Sequence, residues 1–128
     1  MVNDKRGEFV VKMADGTKKI RFKSEFLCQA EKHLGGKSVL FVLSDAEHLG
    51  VTTVRALLWA GLHGAGSKWT LDGVGKQMIM LELTNYIETI MEAFQAATGI
   101  AVDEDEEEDE ESEKEMDPTG IPGSAKNA

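Results

Sequence analysis

Two short runs near the N-terminus alternate apolar and polar residues. Residues 8–13 (EFVVKM) and 18–22 (KKIRF) are rich in β-branched and aromatic side chains, and residues 14–17 (ADGT) separate them. An Asp-Gly pair between two such runs predicts a β-hairpin with a two-residue turn. Because an isolated hairpin is only marginally stable in water, we expect its apolar face to rest on helices.

A turn at residues 15–16 fixes the predicted register, because side chains alternate between the two faces of a strand. The cross-strand pairs on the apolar face are then Val11 with Ile20 and Phe9 with Phe22. The opposite face carries Lys12, Lys19 and Arg21. We expect this basic face to be solvated unless an acidic segment covers it.

Apolar residues between positions 24 and 99 recur at intervals of three and four, which is typical of amphipathic helices. Five segments show this spacing, and each follows a Ser or Thr that can cap a helix N-terminus. The expected caps are Ser24, Ser38, Thr52 or Thr53, Thr70 and Thr84. Glycines at positions 35, 36, 50, 64, 66 and 99 are expected to end helices.

The second and fourth helical segments carry more specific expectations. Residues 39–43 (VLFVL) are compatible with a buried strand, but helix is favoured because residues 45–49 extend the segment to a turn at Gly50. The fourth helix is predicted from Leu71 to about Leu81, with Val74, Met78 and Leu81 facing the core.

Charge divides the chain into a body and a tail. Of the 23 acidic residues, 12 lie between Asp103 and Asp117, whereas residues 1–102 contain 12 basic and 11 acidic residues and a net charge of +1. A long block of like charges repels itself and has nothing to bury, which predicts disorder. The body lacks the basic excess that is typical of nucleic-acid-binding proteins.

Together these patterns predict an α+β fold, mostly α, in which an N-terminal two-stranded β-hairpin packs on four to five short helices. We expect a flexible N-terminus over residues 1–6, one compact domain over residues 7–100 and a disordered acidic tail over residues 101–128. The single cysteine, the polar N-terminus and the lack of a long apolar run favour a soluble protein of the cytoplasm.

The sequence contains no pattern of catalytic or cofactor-binding residues. His33, His48 and His63 are 15 residues apart, which is not a metal-ligand spacing, and we expect exposed helix positions. Cys28 is expected to be a buried or half-buried structural thiol. Residues 61–68 (GLHGAGSK) follow a helix and lack the Gly-Lys-Ser/Thr end of a phosphate-binding loop. We therefore expect no catalytic residue, no cofactor and no metal.

Several residues are candidates for binding a protein partner. Trp59 lies on the flank of the third helix and Met80 lies between two inward positions, so both are expected to be only partly covered. The full candidate set is Trp59, Trp69, Met80, Lys12, Lys19, Arg21, Glu106, Glu107 and Glu108. The acidic residues are compatible with a solubilising tail, with folding back onto the basic hairpin face, or with binding a basic partner.

Neither nucleic acid nor a membrane is an expected partner. A helix-turn-helix built from the third and fourth helices would present only Lys76 and Gln77 to DNA, opposed by Asp72. A chain of this composition is better suited to binding protein.

Residues 7–99 resemble the small tail assembly chaperones of siphophages and gene transfer agents, a family also labelled tail tube protein. The matching pieces are residues 7–10 (GEFV) with 20–22 (IRF), 26–35 (FLCQAEKHLG), 54–62 (VRALLWAGL) and 69–75 (WTLDGVG). Their order and spacing carry the likeness. The polyacidic stretch and the C-terminal Gly-Ile-Pro-Gly do not match the family pattern, so their roles rest on charge alone.

The resemblance implies a non-enzymatic protein that acts in the bacterial host cytoplasm during phage or prophage tail assembly. Its expected partners are the tape measure protein, a long helical and apolar chain, and tail tube subunits. The alternative is a structural tail component, of the tube or minor tail class, that is retained in the particle. Oligomeric state and client remain open at this point.

Overall fold

The computed structural model describes the backbone of residues 2–3 and residues 7–102. The elements, in chain order, are β1 (Val2–Asn3), β2 (Glu8–Met13), β3 (Gly16–Ile20), α1 (Ser24–His33), α2 (Val39–Leu43), α3 (Val51–Gly64), α4 (Leu71–Gln77) and α5 (Leu83–Thr98). Two 3₁₀ turns, Ala46–His48 and Met80–Glu82, precede α3 and α5. The predicted α+β fold, an N-terminal hairpin on five helices, is confirmed.

The hairpin is present, but its predicted register is wrong. Phe9 pairs with Ile20 and Met13 with Gly16, so residues 14–15 form the turn, one position earlier than predicted. The reason is tertiary, because Gln77 accepts hydrogen bonds from the N–H groups of both turn residues, through its carbonyl oxygen (2.8 Å) and its side-chain Oε1 (2.7 Å). Gly16 then takes the positive φ of +119° that the chain needs after the turn.

The apolar face of the hairpin survives this change of register. Moving the turn by one position shifts each cross-strand partner by two residues, and a shift of two keeps every side chain on its original face. The residues predicted to face the core are therefore buried: Phe9, Val11, Ile20 and Phe22.

A third strand extends the sheet on the other side of the hairpin. Val2 pairs with Phe9 and Asn3 with Glu8, both antiparallel, which gives the strand order β1-β2-β3. The polar pattern of residues 1–6 does not predict this strand. Strand β1 pairs with the first two residues of β2, and β2 also contacts α5.

Two of the predicted helix caps are confirmed. Ser38 Oγ accepts a hydrogen bond from the N–H of Phe41 (3.0 Å), and Thr70 Oγ1 accepts one from the N–H of Gly73 (2.9 Å). Residues 39–43 are accordingly a helix and not a strand. The helix ends at Leu43, however, and the following residues form a separate 3₁₀ turn.

The other three helices begin at positions that the caps did not predict. The N–H of Phe26 bonds to the carbonyl oxygen of Lys23 (3.1 Å), which places Ser24 inside the first turn of α1. The N–H of Val54 bonds to the carbonyl oxygen of Gly50 (3.0 Å), so α3 begins at Val51 and not after Thr52 or Thr53. Helix α5 begins at Leu83 because the preceding 3₁₀ turn leads directly into it, which makes the Thr84 cap wrong.

Helix α4 ends four residues earlier than predicted. Met78 has an extended backbone, and the N–H of Ile79 donates to Tyr86 Oη (2.9 Å) and not to a carbonyl of α4. Leu81 therefore lies on a 3₁₀ turn and is 96% exposed, so the prediction that it faces the core is wrong.

Helix α3 forms the centre of the molecule and contacts α1, β3, α4 and α5. Its buried residues lie on several sides of the helix. Gly61 and Gly64 let it lie directly on the end of β3, where the N–H of Arg21 donates to the Gly61 carbonyl oxygen (2.9 Å). A Cβ at Gly61 would lie 2.8 Å from Ile20 Cβ, and one at Gly64 would overlap the carbonyl oxygen of Arg21.

Candidate partner-binding surface

The described residues include six large hydrophobic side chains that are exposed: Leu40, Phe41, Val51, Met80, Leu81 and Ile100. All but the last belong to α2, the first turn of α3 or the 3₁₀ turn before α5. Phe41 is 62% exposed and Met80 is 52% exposed. Single exposed apolar side chains are common on protein surfaces, whereas several that line one concave surface mark a candidate interaction site.

Local structure explains why these side chains face solvent. Helix α2 has five residues, all of them apolar, and it buries Val39 and Leu43, which are four positions apart. Leu40 and Phe41 then point away from the core, because residues one and two positions further on lie on other sides of a helix. The 3₁₀ turn exposes Met80 and Leu81 because the chain leaves α4 at Met78.

Three of these side chains, Phe41, Val51 and Met80, line two adjoining clefts. The α2–α3 cleft has a volume of about 380 Å³, and its lining includes Phe41, Val42, Thr52 and Arg55. The α3–α4 cleft has a volume of about 340 Å³ and is lined by Val51, Thr52, Arg55, Asp72, Gly75, Lys76, Met78 and Met80. Because the clefts share Thr52 and Arg55, they form one surface, here called the two-cleft surface, with Arg55 at its middle.

Arg55 is held in an unusual way. Its side chain is 30% exposed, but its Nε atom is buried and has no hydrogen-bond acceptor among the residues that the structure describes. Nη1 lies 3.9 Å from Oδ1 of Asp72, a carboxylate that is 89% exposed. Gly75 leaves room for the arginine, since a Cβ there would lie 3.0 Å from Arg55 Cδ.

The α2–α3 cleft is more basic than acidic. Lys37, His33 and His48 line it together with Arg55, and Asp45 is its acidic residue. A 2.6 Å contact joins His48 Nδ1 to Asp45 Oδ1, and this hydrogen bond, with the negative charge of Asp45, raises the pKa of the exposed His48. The cleft therefore becomes more positive when His48 is protonated.

The structure separates the apolar residues that the sequence proposed as partner contacts. Met80 is exposed as expected and lies in the α3–α4 cleft. Trp59 is only 8% exposed, so the expectation that it is partly uncovered is wrong. Helix α1 covers it, since its ring centroid lies 6.2 Å from that of Phe26 and 5.2 Å from that of His33.

Trp69 and Lys19 meet in a different cleft, of about 430 Å³, whose lining also includes Lys18 and Lys68. Trp69 is half-buried, and the Lys18 ammonium lies 5.3 Å from its ring centroid. Lys12 is exposed and Arg21 is half-buried. The remaining candidates, Glu106, Glu107 and Glu108, lie outside the described residues.

The expectations for the histidines and the cysteine are partly wrong. His33 and His48 are exposed, but His63 is half-buried, with its Nε2 atom 2.6 Å from the carbonyl oxygen of Trp69. Cys28 is exposed because α1 turns Ala30 and the neighbouring Phe26 toward α3, which leaves Cys28 on the outer side. Among the described residues, no three His, Cys, Asp or Glu side chains are grouped to hold a metal ion.

Sequence reasoning missed Phe41, Val51, Leu81 and Arg55 as surface residues. Only α2 carried a usable signal, since five consecutive apolar residues between a cap and a polar stretch cannot all be buried by so short a helix. No helix in the described part of the chain has both the length and the apolar character needed to cross a bilayer. No family model, curated protein or solved structure matches the chain.

Proposed function

We propose that this chain is a non-enzymatic tail assembly chaperone that holds apolar helical segments of the tape measure protein, or of tail tube subunits, during tail morphogenesis. The observation that carries the proposal is the two-cleft surface, which is lined by three exposed hydrophobic side chains, Phe41, Val51 and Met80. The ordered sequence resemblance supplies the class of client.

The shape of the surface suits an amphipathic helix. Recognition of a helix in a groove uses rows of apolar anchors spaced three and four residues apart on the bound helix. Phe41 on one side and Met80 on the other offer apolar contacts that such anchors can bury. Methionine adapts to irregular partners because its side chain is unbranched and polarisable.

Neither cleft is large enough to enclose a long client. At about 380 and 340 Å³, each accommodates a few side chains. When several weak binding sites are linked on one long client chain, the overall affinity exceeds that of each site alone. Several copies on one tape measure chain would keep its apolar helices from associating before the tube forms.

The test is coexpression of the full chain with the tape measure protein of the same tail gene cluster, followed by capture on an affinity tag. We expect the wild-type chain to retain the client. The double variant Phe41→Ser/Met80→Ser, with one substitution in each cleft, should lose most of it, by about tenfold or more, because hot-spot side chains dominate binding. Ile100→Ser is the matched control, because it removes an exposed apolar residue that lines neither cleft.

Two results would count against this function. Failure of the wild-type chain to retain the client removes the chaperone proposal, and equal retention by the double variant removes the two-cleft surface as its site. Recovery of the protein from purified particles would instead favour the structural tail component.

A further inference from the structure

We infer that Arg55 makes the two-cleft surface selective for a partner helix that carries a carboxylate, from Asp or Glu, within its apolar face. This inference rests on the proposed partner-binding role of that surface and adds the chemistry of the bound segment. It assigns Arg55 as the specificity-determining residue.

The first support is that no carboxylate is hydrogen-bonded to the Arg55 guanidinium among the residues that the structure describes. The Nε–H group is buried and has no acceptor in the part of the chain that the structure describes. A guanidinium offers five N–H donors in a rigid plane and binds a carboxylate with two parallel hydrogen bonds. Because Nε is buried while the side chain as a whole is 30% exposed, an incoming carboxylate binds the guanidinium through its outer N–H groups.

The existing partner of Arg55 does not fulfil this role. Asp72 Oδ1 lies 3.9 Å from Nη1, beyond hydrogen-bond distance, and its side chain is almost fully in solvent. Exposed ion pairs of this kind contribute little. Asp72 therefore leaves the guanidinium free to bind a carboxylate from a second chain.

The charge around Arg55 favours an acidic partner. Lys37, His33 and His48 line one cleft with it, and Lys76 lines the other. Asp45 and Asp72 are the carboxylates that line the two clefts. This complementarity steers and orients an acidic group toward the middle of the surface.

The apolar side chains on the two sides of Arg55 restrict which acidic partner can bind. Phe41 lies on one side of Arg55 and Met80 on the other, so the best occupant has apolar side chains on both sides of its carboxylate. Residues 103–115 of this chain carry many carboxylates but no apolar residue. Their carboxylates can bind the Arg55 guanidinium, but they have no apolar side chains to cover Phe41 and Met80. We therefore assign the surface to an amphipathic helix from another protein.

The test uses two synthetic amphipathic helices of about six turns that differ at one position in the middle of the apolar face, where one has Glu and the other Gln. We expect the full-length chain to bind the Glu peptide about tenfold more tightly by titration calorimetry, as one charge-assisted hydrogen-bonded pair permits. Arg55→Gln should bind both peptides alike. Arg55→Lys should retain part of the preference, because it keeps the charge and loses the planar pair of donors.

Lys68→Gln is the matched control, since it removes one positive charge from an exposed position that lines neither cleft and should leave the preference unchanged. A readout at the residue itself is the NMR signal of the Arg55 Nε–H, which should move on addition of the Glu peptide and stay in place with the Gln peptide. Circular dichroism checks that each variant is folded.

Equal affinity of the wild-type chain for the two peptides would overturn the inference, as would absence of binding or a preference that persists in Arg55→Gln. If the full-length variant Glu106→Gln/Glu107→Gln/Glu108→Gln moves the Arg55 Nε–H signal without any peptide, the chain's own acidic segment occupies the site and the assignment is wrong. Discrimination between the peptides without capture of the tape measure protein would remove the chaperone function alone. Capture without discrimination would remove this inference alone.

Discussion

At position 64, the requirement for glycine comes from a contact with a distant part of the chain. In the sequence Gly64 belongs to a glycine-rich stretch that indicates the end of a helix, and α3 does end there. The structure adds that this glycine touches the backbone beyond β3, at the carbonyl group of Arg21. No local pattern announces that contact, because it joins residues 43 positions apart.

Replacing Gly64 by Ala should destabilise the fold. The added Cβ would overlap the Arg21 carbonyl, which is backbone and cannot rotate away. Overpacking at rigid positions typically costs about 1–3 kcal/mol, and we expect a loss at the upper end of that range in urea unfolding. Gly50→Ala is the control, because nothing lies within 4 Å of its added Cβ, and we expect a change of less than about 1 kcal/mol. Similar losses for the two variants would show that the close contact does not matter.

Residue exposure was the least predictable property of the site. The sequence identifies Trp59 and Leu81 as large and apolar, but their exposure depends on neighbours from other elements. Helix α1 covers Trp59, and the early end of α4 leaves Leu81 in solvent. The unpaired Nε of Arg55 likewise has no counterpart in the sequence.

At the level of elements, the type of each segment was predictable and the boundaries less so. Periodicity and local caps are properties of a few consecutive residues, which is why the Ser38 and Thr70 caps and the two faces of the hairpin are confirmed. The hairpin register and the end of α4 depend on hydrogen bonds that Gln77 and Tyr86 accept, and both acceptors lie outside the segments concerned.

Tyr86 joins three segments, and its loss should weaken all of them. The buried hydroxyl donates to the carbonyl oxygen of Lys12 (2.6 Å) and accepts from the N–H of Ile79 (2.9 Å). Tyr86→Phe leaves both groups without this partner, so we expect a loss of about 1–3 kcal/mol in urea unfolding. A loss below the error of the measurement would mean that water replaces the hydroxyl at no cost.

The same residue predicts how stability responds to alkaline pH. Burial raises the pKa of Tyr86 above its ordinary value of 10.0 in the folded chain. The unfolded chain loses the proton first, so this contribution to stability is complete below pH 10 and is lost as the pH rises through the folded pKa. Unfolding curves between pH 8 and 11 should show a steeper decline for the wild-type chain than for Tyr86→Phe. Parallel declines would contradict this assignment.

At the scale of the whole molecule, the negative charge is concentrated outside the residues that form the domain. Residues 1–102 have a net charge of +1, whereas the whole chain has a net charge of −9. The predicted fold-back of the acidic segment onto the hairpin concerns residues outside those described, and it stays a prediction. Its proposed target is present, since Lys12 and Lys19 are exposed on the outer side of the sheet.

Fold-back predicts a salt-dependent change in the hairpin when the acidic residues are neutralised. The variant Glu106→Gln/Glu107→Gln/Glu108→Gln should move the amide NMR signals of Lys12 and Lys19 at low salt. The difference should vanish near 1 M salt, where charges are screened beyond about 3 Å. Glu88→Gln/Glu92→Gln, on the exposed side of α5, is the control. Unchanged hairpin signals at low salt would end the fold-back hypothesis.

The central position of α3 also determines how the protein unfolds. Removing any one of the segments around this helix would expose apolar side chains of α3 to water, so a smaller part of the domain is not expected to stay folded. The molecule should therefore melt in one step, and a protease that cuts once inside the body should leave no resistant fragment behind.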